Sequence, residues 1–342
     1  MPQTPLTVAE LSEAELLTRI FPRLELGAAH NAAVLLGPGD DAAVVAAPDG
    51  RTVVSIDTQV QDQDFRLQWR NGYRTAGYDV GWKAAAQNLS DINAMGAVAT
   101  SLIVSLTMPS GTPVEWVEDL ADGLAAAIGK LGAGSCSVAG GDIGRGGELS
   151  ITAAVLGTLA GGQPVLRSGA GAGDTLAIAG NAGQAAAGLA LLESERHPLE
   201  SLTPELRLLL DLQCRPEPPL EAGPLARLSG ATAMMDISDG LVRDGARLAR
   251  ASGVVLDLDV PALRLLAAPL QAAAQLLGAD PLAWVLGGGE DHGLLATFPA
   301  GVQLPPGFTG IGSVQARGTT EAAGVTVAGR PADSVGWDHF AD

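Results

Sequence analysis

The sequence predicts a two-domain protein of mixed class, α+β with α/β portions, on three observations. Apolar runs of strand length interleave with amphipathic helical stretches, yet some strand-like runs follow one another directly, which suits mixed sheets better than a doubly wound one. At 342 residues the chain exceeds one ordinary domain. Around Gly161-Gly162 and residues 168–173 the composition turns Gly-rich, marking a boundary between residues 1–160 and 161–342.

In order, Thr7-x-x-Glu10 is a capping box ahead of the helical stripe Leu11, Leu16, Leu17 and Ile20. Residues 27–39 are loop-like, and 42–47 is expected to pair with 52–56 around the turn Pro48-Asp49-Gly50. Residues 58–72, with Gln59, Gln61, Asp62, Gln63, Asp64 and Phe65, read as an irregular substrate loop. Residues 77–95 form a helix in which Lys83, Gln87 and Asp91 share one face at i, i+4 and i+8. A strand over 98–108, a helix over 114–131, a short buried strand over 136–139 leading into Gly140-Gly141-Asp142, and a strand over 151–159 complete the first half. The second half reads as strand 175–179, helix 184–192, and two short helices within 203–228 around Pro216, Pro218 and Pro219. Strand 233–235 runs into Asp236 before helix 240–251, and strand 254–258, helix 281–286 and strands over 294–298, 308–311 and 325–327 follow.

A formal net charge of −18 argues against nucleic acid or an anionic membrane as partner. Cys136 and Cys214 stand alone, and His30, His197, His292 and His339 lack zinc-site spacing. No signal peptide and no uninterrupted apolar stretch of membrane-span length is expected, so a cytoplasmic protein is the default. Gly123…Gly129-Lys130 fails as a P-loop because Leu131 stands where Ser or Thr is needed. A Rossmann glycine fingerprint and Gly-x-Ser-x-Gly are absent.

Acids at strand ends and Gly turns remain as the chemistry. They are Asp40-Asp41 in Gly37-Pro38-Gly39-Asp40-Asp41, Asp57, Asp91, Asp142, Asp236 and Asp239 in Asp236-Ile237-Ser238-Asp239-Gly240, and Glu290-Asp291 after Gly287-Gly288-Gly289. Mg²⁺ prefers a few carboxylates plus substrate phosphate, and adjacent glycines let backbone N–H groups approach phosphate oxygens. Any one such acid also suits a turn or helix cap, and Asp236/Asp239 fit a helix N-terminus. Capping cannot explain both Asp40 and Asp41, whose adjacent like charges call for a cation. Arg145 and Arg167 stand near Gly-rich stretches in a chain poor in basic residues, which favours phosphate contact. Lys83 taken alone is a solvated helix charge, and Trp337 and Phe340 taken alone are tail anchors.

As an ordered set, Gly39-Asp40-Asp41-Ala42-Ala43, Ser55-Ile56-Asp57-Thr58, Lys83 to Ala97 with Asn88-Leu89-Ser90-Asp91, Gly140-Gly141-Asp142, Arg167-Ser168-Gly169-Ala170, Asp236 to Leu241, Gly288-Gly289-Glu290-Asp291 and Gly336-Trp337-Asp338 resemble the thiamine-monophosphate kinase family. That family lies in the superfamily of aminoimidazole ribonucleotide synthetase and selenophosphate synthetase. The resemblance implies that superfamily's fold: an N-terminal α/β domain that binds ATP and Mg²⁺ and dimerises through its sheet, and a C-terminal α/β domain that completes the nucleotide and acceptor site. It implies a homodimer and ATP-dependent phosphorylation of thiamine monophosphate, with several Mg²⁺. Carried over residue by residue, metal ligands fall on Asp40, Asp41, Ser55, Asp57, Asp91, Asp142, Asp236 and Asp239, with Asp57, Asp91, Asp142 and Asp239 the catalytic acids. Nucleotide contacts fall on Gly141, Arg167 and Ser238, joined by Lys83 and Arg145, and acceptor contacts on Asp64, Glu290 and Trp337.

Two departures bear on the acceptor and metal side. Ile56 stands where the family has a Thr that supplies a metal ligand, and Asp64 where it has a His touching the acceptor. A carboxylate suits the cationic ring of thiamine and repels its phosphate, so Asp64 is expected at the ring end or turned away. The expected activity is direct phosphoryl transfer from ATP. Its rivals are a relative with another acceptor and an inactive nucleotide- or thiamine-phosphate-binding regulator.

Overall fold

The computed structural model describes residues 5–25, 33–37, 42–318, 322–332 and 336. The chain forms two compact units, Met1–Ile92 with Val98–Gly161, and Asn93–Ala97 with Gly162–Asp342. A cut at 160/161 therefore misses the segment 93–97, which is tied into the second unit by hydrogen bonds. Asn93 Oδ1 accepts the Gly223 N–H at 2.7 Å, Arg227 Nε donates to the Gly96 carbonyl at 2.9 Å, and the Val165 N–H donates to the Met95 carbonyl at 3.3 Å. Gly223 permits this approach, since a Cβ there would sit 1.8 Å from the Asn93 carbonyl oxygen.

The first unit contains α1 (Glu13–Glu25), β1 (Val34–Leu36), β2 (Val44–Val45), β3 (Val53–Val60), α2 (Gly77–Ala94), β4 (Val98–Met108), α3 (Val114–Lys130), β5 (Ser137–Arg145) and β6 (Ser150–Thr158). The Thr7/Glu10 box closes a short 3-10 turn, and α1 is started by a second box in which Ser12 and Glu15 exchange bonds. The main sheet has the order β3-β6-β4-β5, parallel only between β4 and β5. The expected hairpin does not form. β2 pairs with β1, and β3 pairs with β6 from Val53↔Gly157 to Val60↔Ser150, because β6 offers eight matched positions with Ile151, Ala153 and Val155 inward. Gly140-Gly141-Asp142, expected after a short strand, lies inside β5. The loop expected from residue 58 continues β3 to Val60 and then folds on buried Phe65 and Trp69, with Trp69 Nε1 donating to Thr75 Oγ1 at 2.9 Å.

Helices α2 and α3 cross at glycines: a Cβ on Gly81 would lie 2.0 Å from the Leu120 carbonyl oxygen, and one on Gly123 2.1 Å from that of Tyr78. Gly123, half of the failed P-loop match, is thus explained by packing.

The second unit contains β7 (Thr175–Ala179), α4 (Gln184–Leu192), α5 (Pro204–Cys214), α6 (Ala222–Leu228), β8 (Ala233–Ile237), α7 (Leu241–Ser252), β9 (Val254–Leu258), α8 (Val260–Ala267), α9 (Gln271–Leu277), α10 (Pro281–Gly287), β10 (Gly293–Phe298), β11 (Phe308–Ala316), β12 (Gly324–Val327) and β13 (Arg330–Pro331). Its sheet runs β13-β12-β9-β11-β7-β10-β8, and β8 and β10 are buried along their whole length. Val260–Leu277 has the length and mean hydropathy of a membrane span, but Arg264, Gln271 and Gln275 interrupt it, so it is not the uninterrupted apolar stretch that a span calls for. It comprises α8, a 3-10 turn and α9, and its apolar character follows from Leu263, Ala267, Leu270, Ala273 and Ala274, which are packed into the unit.

Candidate active site

In the first unit the site is built from one face of β3 and one face of α2. Strand alternation puts Ser55, Asp57 and Gln59 on the same side, with Ile56 opposite. Helical spacing aligns Lys83, Gln87 and Asp91 against them. Ser55 Oγ donates to Asp91 Oδ2 at 2.5 Å, and Gln59 Nε2 donates to Gln87 Oε1 at 2.9 Å. Lys83, 4 % exposed, donates from Nζ to the Asp64 carbonyl at 3.2 Å. Lys83 is therefore a buried group and not the solvated charge that it suggests when taken alone. The Asp64 side chain turns back on the strand: its carboxylate accepts the Val60 N–H at 2.7 Å, while its own N–H donates to the Val60 carbonyl at 3.0 Å.

Asp142 lies elsewhere. β3 and β5 are the two outer strands of the sheet, so Asp57 and Asp142 are separated by three strand spacings, about 14 Å. The pairs Thr58↔Thr152, Ser105↔Thr152 and Ser105↔Asp142 place Asp142 in a polar row on the face opposite Asp57. Gly141 falls in the Asp57 row, where a Cβ would lie 2.1 Å from the Val104 carbonyl oxygen, so packing alone demands glycine. A cavity of about 760 Å³ is lined by Ile56, Ser105, Gly140, Gly141, Asp142 and Thr152. Arg145 ends β5 and is exposed. Asp40 and Asp41 lie outside the described residues, as does Trp337.

In the second unit, Asp236 is buried at the end of β8 with His292 Nδ1 3.6 Å from Oδ2. The following turn is organised by Asp244, which the sequence reading missed. Asp244 Oδ2 accepts the N–H groups of Ser238, Asp239 and Gly240 at 3.1, 2.8 and 3.1 Å. Burial pushes its carboxyl up to about 6. Arg247 bridges the two acids, with 2.6 Å contacts to Asp244 Oδ1 and Asp239 Oδ2. Asp244, inside the first turn of α7, thus fixes the turn that leads into the helix, and its signal was an acid in the first helical turn after Asp-Gly. Gly336 returns against this turn, a Cβ there falling 2.7 Å from the Asp239 carbonyl oxygen. Arg167 is exposed, and its carbonyl accepts from Ser252 Oγ at 2.7 Å.

Glu290 and Asp291, adjacent in sequence, have different placements. Asp291 accepts the N–H groups of Gly183, Gln184 and Ala185 at 2.6, 3.1 and 3.0 Å, capping α4, and burial pushes its carboxyl up to about 6. It is a structural acid, the cap that the sequence allows for any single member of the set. Glu290 has φ 66°, a conformation that costs about 1–3 kcal/mol in a non-glycine residue. Its N–H donates to the Ser238 carbonyl at 2.8 Å, and its carboxylate accepts from Gln213 Nε2. Replacing Asp291 by Ala should lower stability by about 2–4 kcal/mol, since N–H groups at a buried helix end lose their acceptor. Denaturant unfolding checks this, and a loss below about 1 kcal/mol would contradict the capping role.

Among the described residues no three His, Cys, Asp or Glu side chains group closely enough to hold a metal by themselves. Within the first unit the acids form two centres, Ser55/Asp57/Asp91 and Asp142, and within the second unit Asp236 and Asp239 stand at the turn before α7.

This fold, with its acid-bearing four-stranded sheet, defines the class. Residues 39–159 match the family described as AIR synthase related protein, N-terminal domain. The thiamine-monophosphate kinase of Mycobacterium tuberculosis is 45% identical over 295 residues, covering 86% of this chain and 84% of the relative. That of Corynebacterium glutamicum is 38% identical over 341 residues, covering 98% and 95%. The solved structure described as AaThiL complexed with AMPPCP and TMP superposes with TM-score 0.74 at 30% identity, covering 99% of this chain and 100% of that one. The chain belongs to the thiamine-monophosphate kinase family.

Proposed function

We propose that this protein transfers the γ-phosphoryl group of ATP directly to the phosphate of thiamine monophosphate, giving thiamine diphosphate, with Mg²⁺ held by its acids. The single observation that carries the reading is the centre on β3 and α2, where Ser55 Oγ and Asp91 Oδ2 lie 2.5 Å apart beside Asp57. This donor set fits Mg²⁺: it is all oxygen, and it is too small to enclose an ion without substrate phosphate and water. Ser55, Asp57 and Asp91 would hold one ion, and Asp142, Asp236 and Asp239 would contribute to others. When bound, Mg²⁺ neutralises the polyphosphate and the charge that develops in transfer.

The remaining work falls to the chain. The Lys83 ammonium, anchored on the Asp64 carbonyl, fixes the turn after β3 beside the acids. The exposed guanidinium groups of Arg145 and Arg167 and the Ser238 hydroxyl are assigned to the nucleotide phosphates. Glu290 and Trp337 are assigned to the acceptor. Asp64, with its carboxylate engaged by the Val60 N–H, is assigned a turn-forming role away from the acceptor phosphate. No side chain needs to carry the phosphoryl group. The net charge of −18 supports an enzyme without nucleic-acid or anionic-membrane partners, and it makes bridging cations necessary for two anionic substrates.

The same reading makes the protein a homodimer. Val54, Ile56 and Ile103, 68 %, 63 % and 42 % exposed, share the outer face of the sheet, which suits burial against a second copy. Asp57 and Asp142 are too far apart for one Mg²⁺, whose ligands sit about 2 Å from it. In a dimer built on this face about a two-fold axis along the strands, β5 of one copy faces β3 of the other. Asp142, on that outer face, then lies against the edge strand β3 of its partner, across that strand from Asp57, and is assigned to the polyphosphate of the partner's site rather than to the ion held by Asp57.

Purified protein given ATP, Mg²⁺ and thiamine monophosphate should release ADP and thiamine diphosphate in equal amounts, and EDTA should abolish both. ADP without thiamine diphosphate would overturn the assigned acceptor.

A further inference from the structure

We infer that Gln213 is a positioning residue for Glu290 and so sets how tightly the acceptor is held; this rests on the proposed contact of Glu290 with the acceptor. Gln213 stands in the last turn of α5 and is 3 % exposed. Its Nε2 donates to Glu290 Oε2, and its Oε1 is buried with no hydrogen-bond partner among the described residues. A half-satisfied buried amide is unfavourable for folding, whereas Leu or Met would fill the same space without that cost. Helix packing therefore does not explain a glutamine here, but its bond to the carboxylate does.

Both partners are held stiffly. At Gly188 of α4, a Cβ would come 2.0 Å from the Leu209 carbonyl oxygen and 3.0 Å from Gln213 Cβ, so α5 and the stem of Gln213 are pressed against α4. Glu290 sits between Gly289, where a Cβ would lie 2.3 Å from the Ser238 carbonyl oxygen, and Asp291, which is bonded to the start of α4. The backbone is thus fixed in its left-handed conformation, and the carboxylate rotamer is the remaining freedom. The amide N–H of Gln213 removes it. An ionised carboxylate recognises a hydrogen-bond donor or cationic group and repels phosphate, so the pair addresses the ring end of the acceptor.

Steady-state kinetics test this. Gln213→Met keeps the side-chain volume and removes the donor. It should raise KM for thiamine monophosphate at least about tenfold, as expected for a lost bond to a charged group, while KM for ATP stays the same. Its thermal midpoint should equal or exceed that of the parent, which a merely structural role would not produce. Glu290→Ala should raise the same KM, and adding Gln213→Met to it should cost nothing further. Equal shifts in both KM values, or none, overturn the positioning role. If Glu290→Ala leaves KM for thiamine monophosphate unaltered, the acceptor reading of Glu290 fails instead. Should the Met variant not fold, Gln213→Glu sets carboxylate against carboxylate, and an unchanged KM for thiamine monophosphate would equally refute the inference.

Discussion

Asp91→Asn is expected to lower turnover by at least about two orders of magnitude while leaving the protein folded, because it removes charge from a preorganised electrostatic site. The asparagine keeps the shape of the side chain, and its carbonyl oxygen can still accept from Ser55 Oγ, now 2.5 Å from Asp91 Oδ2. What it loses is the negative charge that would hold Mg²⁺ against the polyphosphate. Stability should change little, since α2 is anchored independently by the Gln59–Gln87 bond, the Lys83–Asp64 bond and the glycine crossing with α3. Thermal unfolding together with kcat across a Mg²⁺ titration separates the two effects. Near-parental kcat with an unchanged Mg²⁺ requirement would remove Asp91 from the metal centre.

The face that carries this prediction was legible in the sequence because its logic is local. Spacing by four puts Lys83, Gln87 and Asp91 on one side of α2, and alternation by two puts Ser55 and Asp57 on one side of β3. Neither period, however, says which strand lies next to which. The expected hairpin of residues 42–47 with 52–56 failed for this reason: the turn at Pro48-Asp49-Gly50 is a local signal, while the pairing of β3 with β6 is won by a distant strand with a better-matched face.

The acids show a second limit. Composition beside glycine marks a carboxylate as poised for something, but a metal ligand and a cap for backbone N–H groups share that signature. Asp244 and Asp291 each collect three N–H donors and are structural, and nothing in their immediate sequence distinguishes them from Asp236 or Asp239. The Ile56 departure also reads differently in three dimensions. Its side chain belongs to the outer apolar face, so an Ile in place of Thr adds apolar surface there and leaves the Ser55/Asp57 face intact. Gln213 had no sequence signal at all, being a polar residue at the end of an apolar helix whose partner lies 77 positions away.

The sheet order leads to the prediction with the sharpest outcome. Asp142→Asn should be as damaging to turnover as Asp91→Asn, yet a heterodimer of the two variants should recover about half of the parent activity. If Asp142 acts on the site of the partner, the Asp91→Asn subunit supplies an intact Asp142 to the subunit that retains Asp91. One of the two sites then has both acids, and the other has neither. A heterodimer of the parent with the Asp91→Asn/Asp142→Asn double variant gives the reciprocal result: each site has one lesion, so activity should stay at the level of the single variants. Acids acting within one chain reverse both outcomes, leaving the first heterodimer dead and the second half active. Co-expression with two affinity tags and purification through both would isolate each species for assay. Recovery in the second heterodimer and not the first would show that β3 and β5 of one copy serve the same site, and would refute the dimer geometry drawn from the order β3-β6-β4-β5.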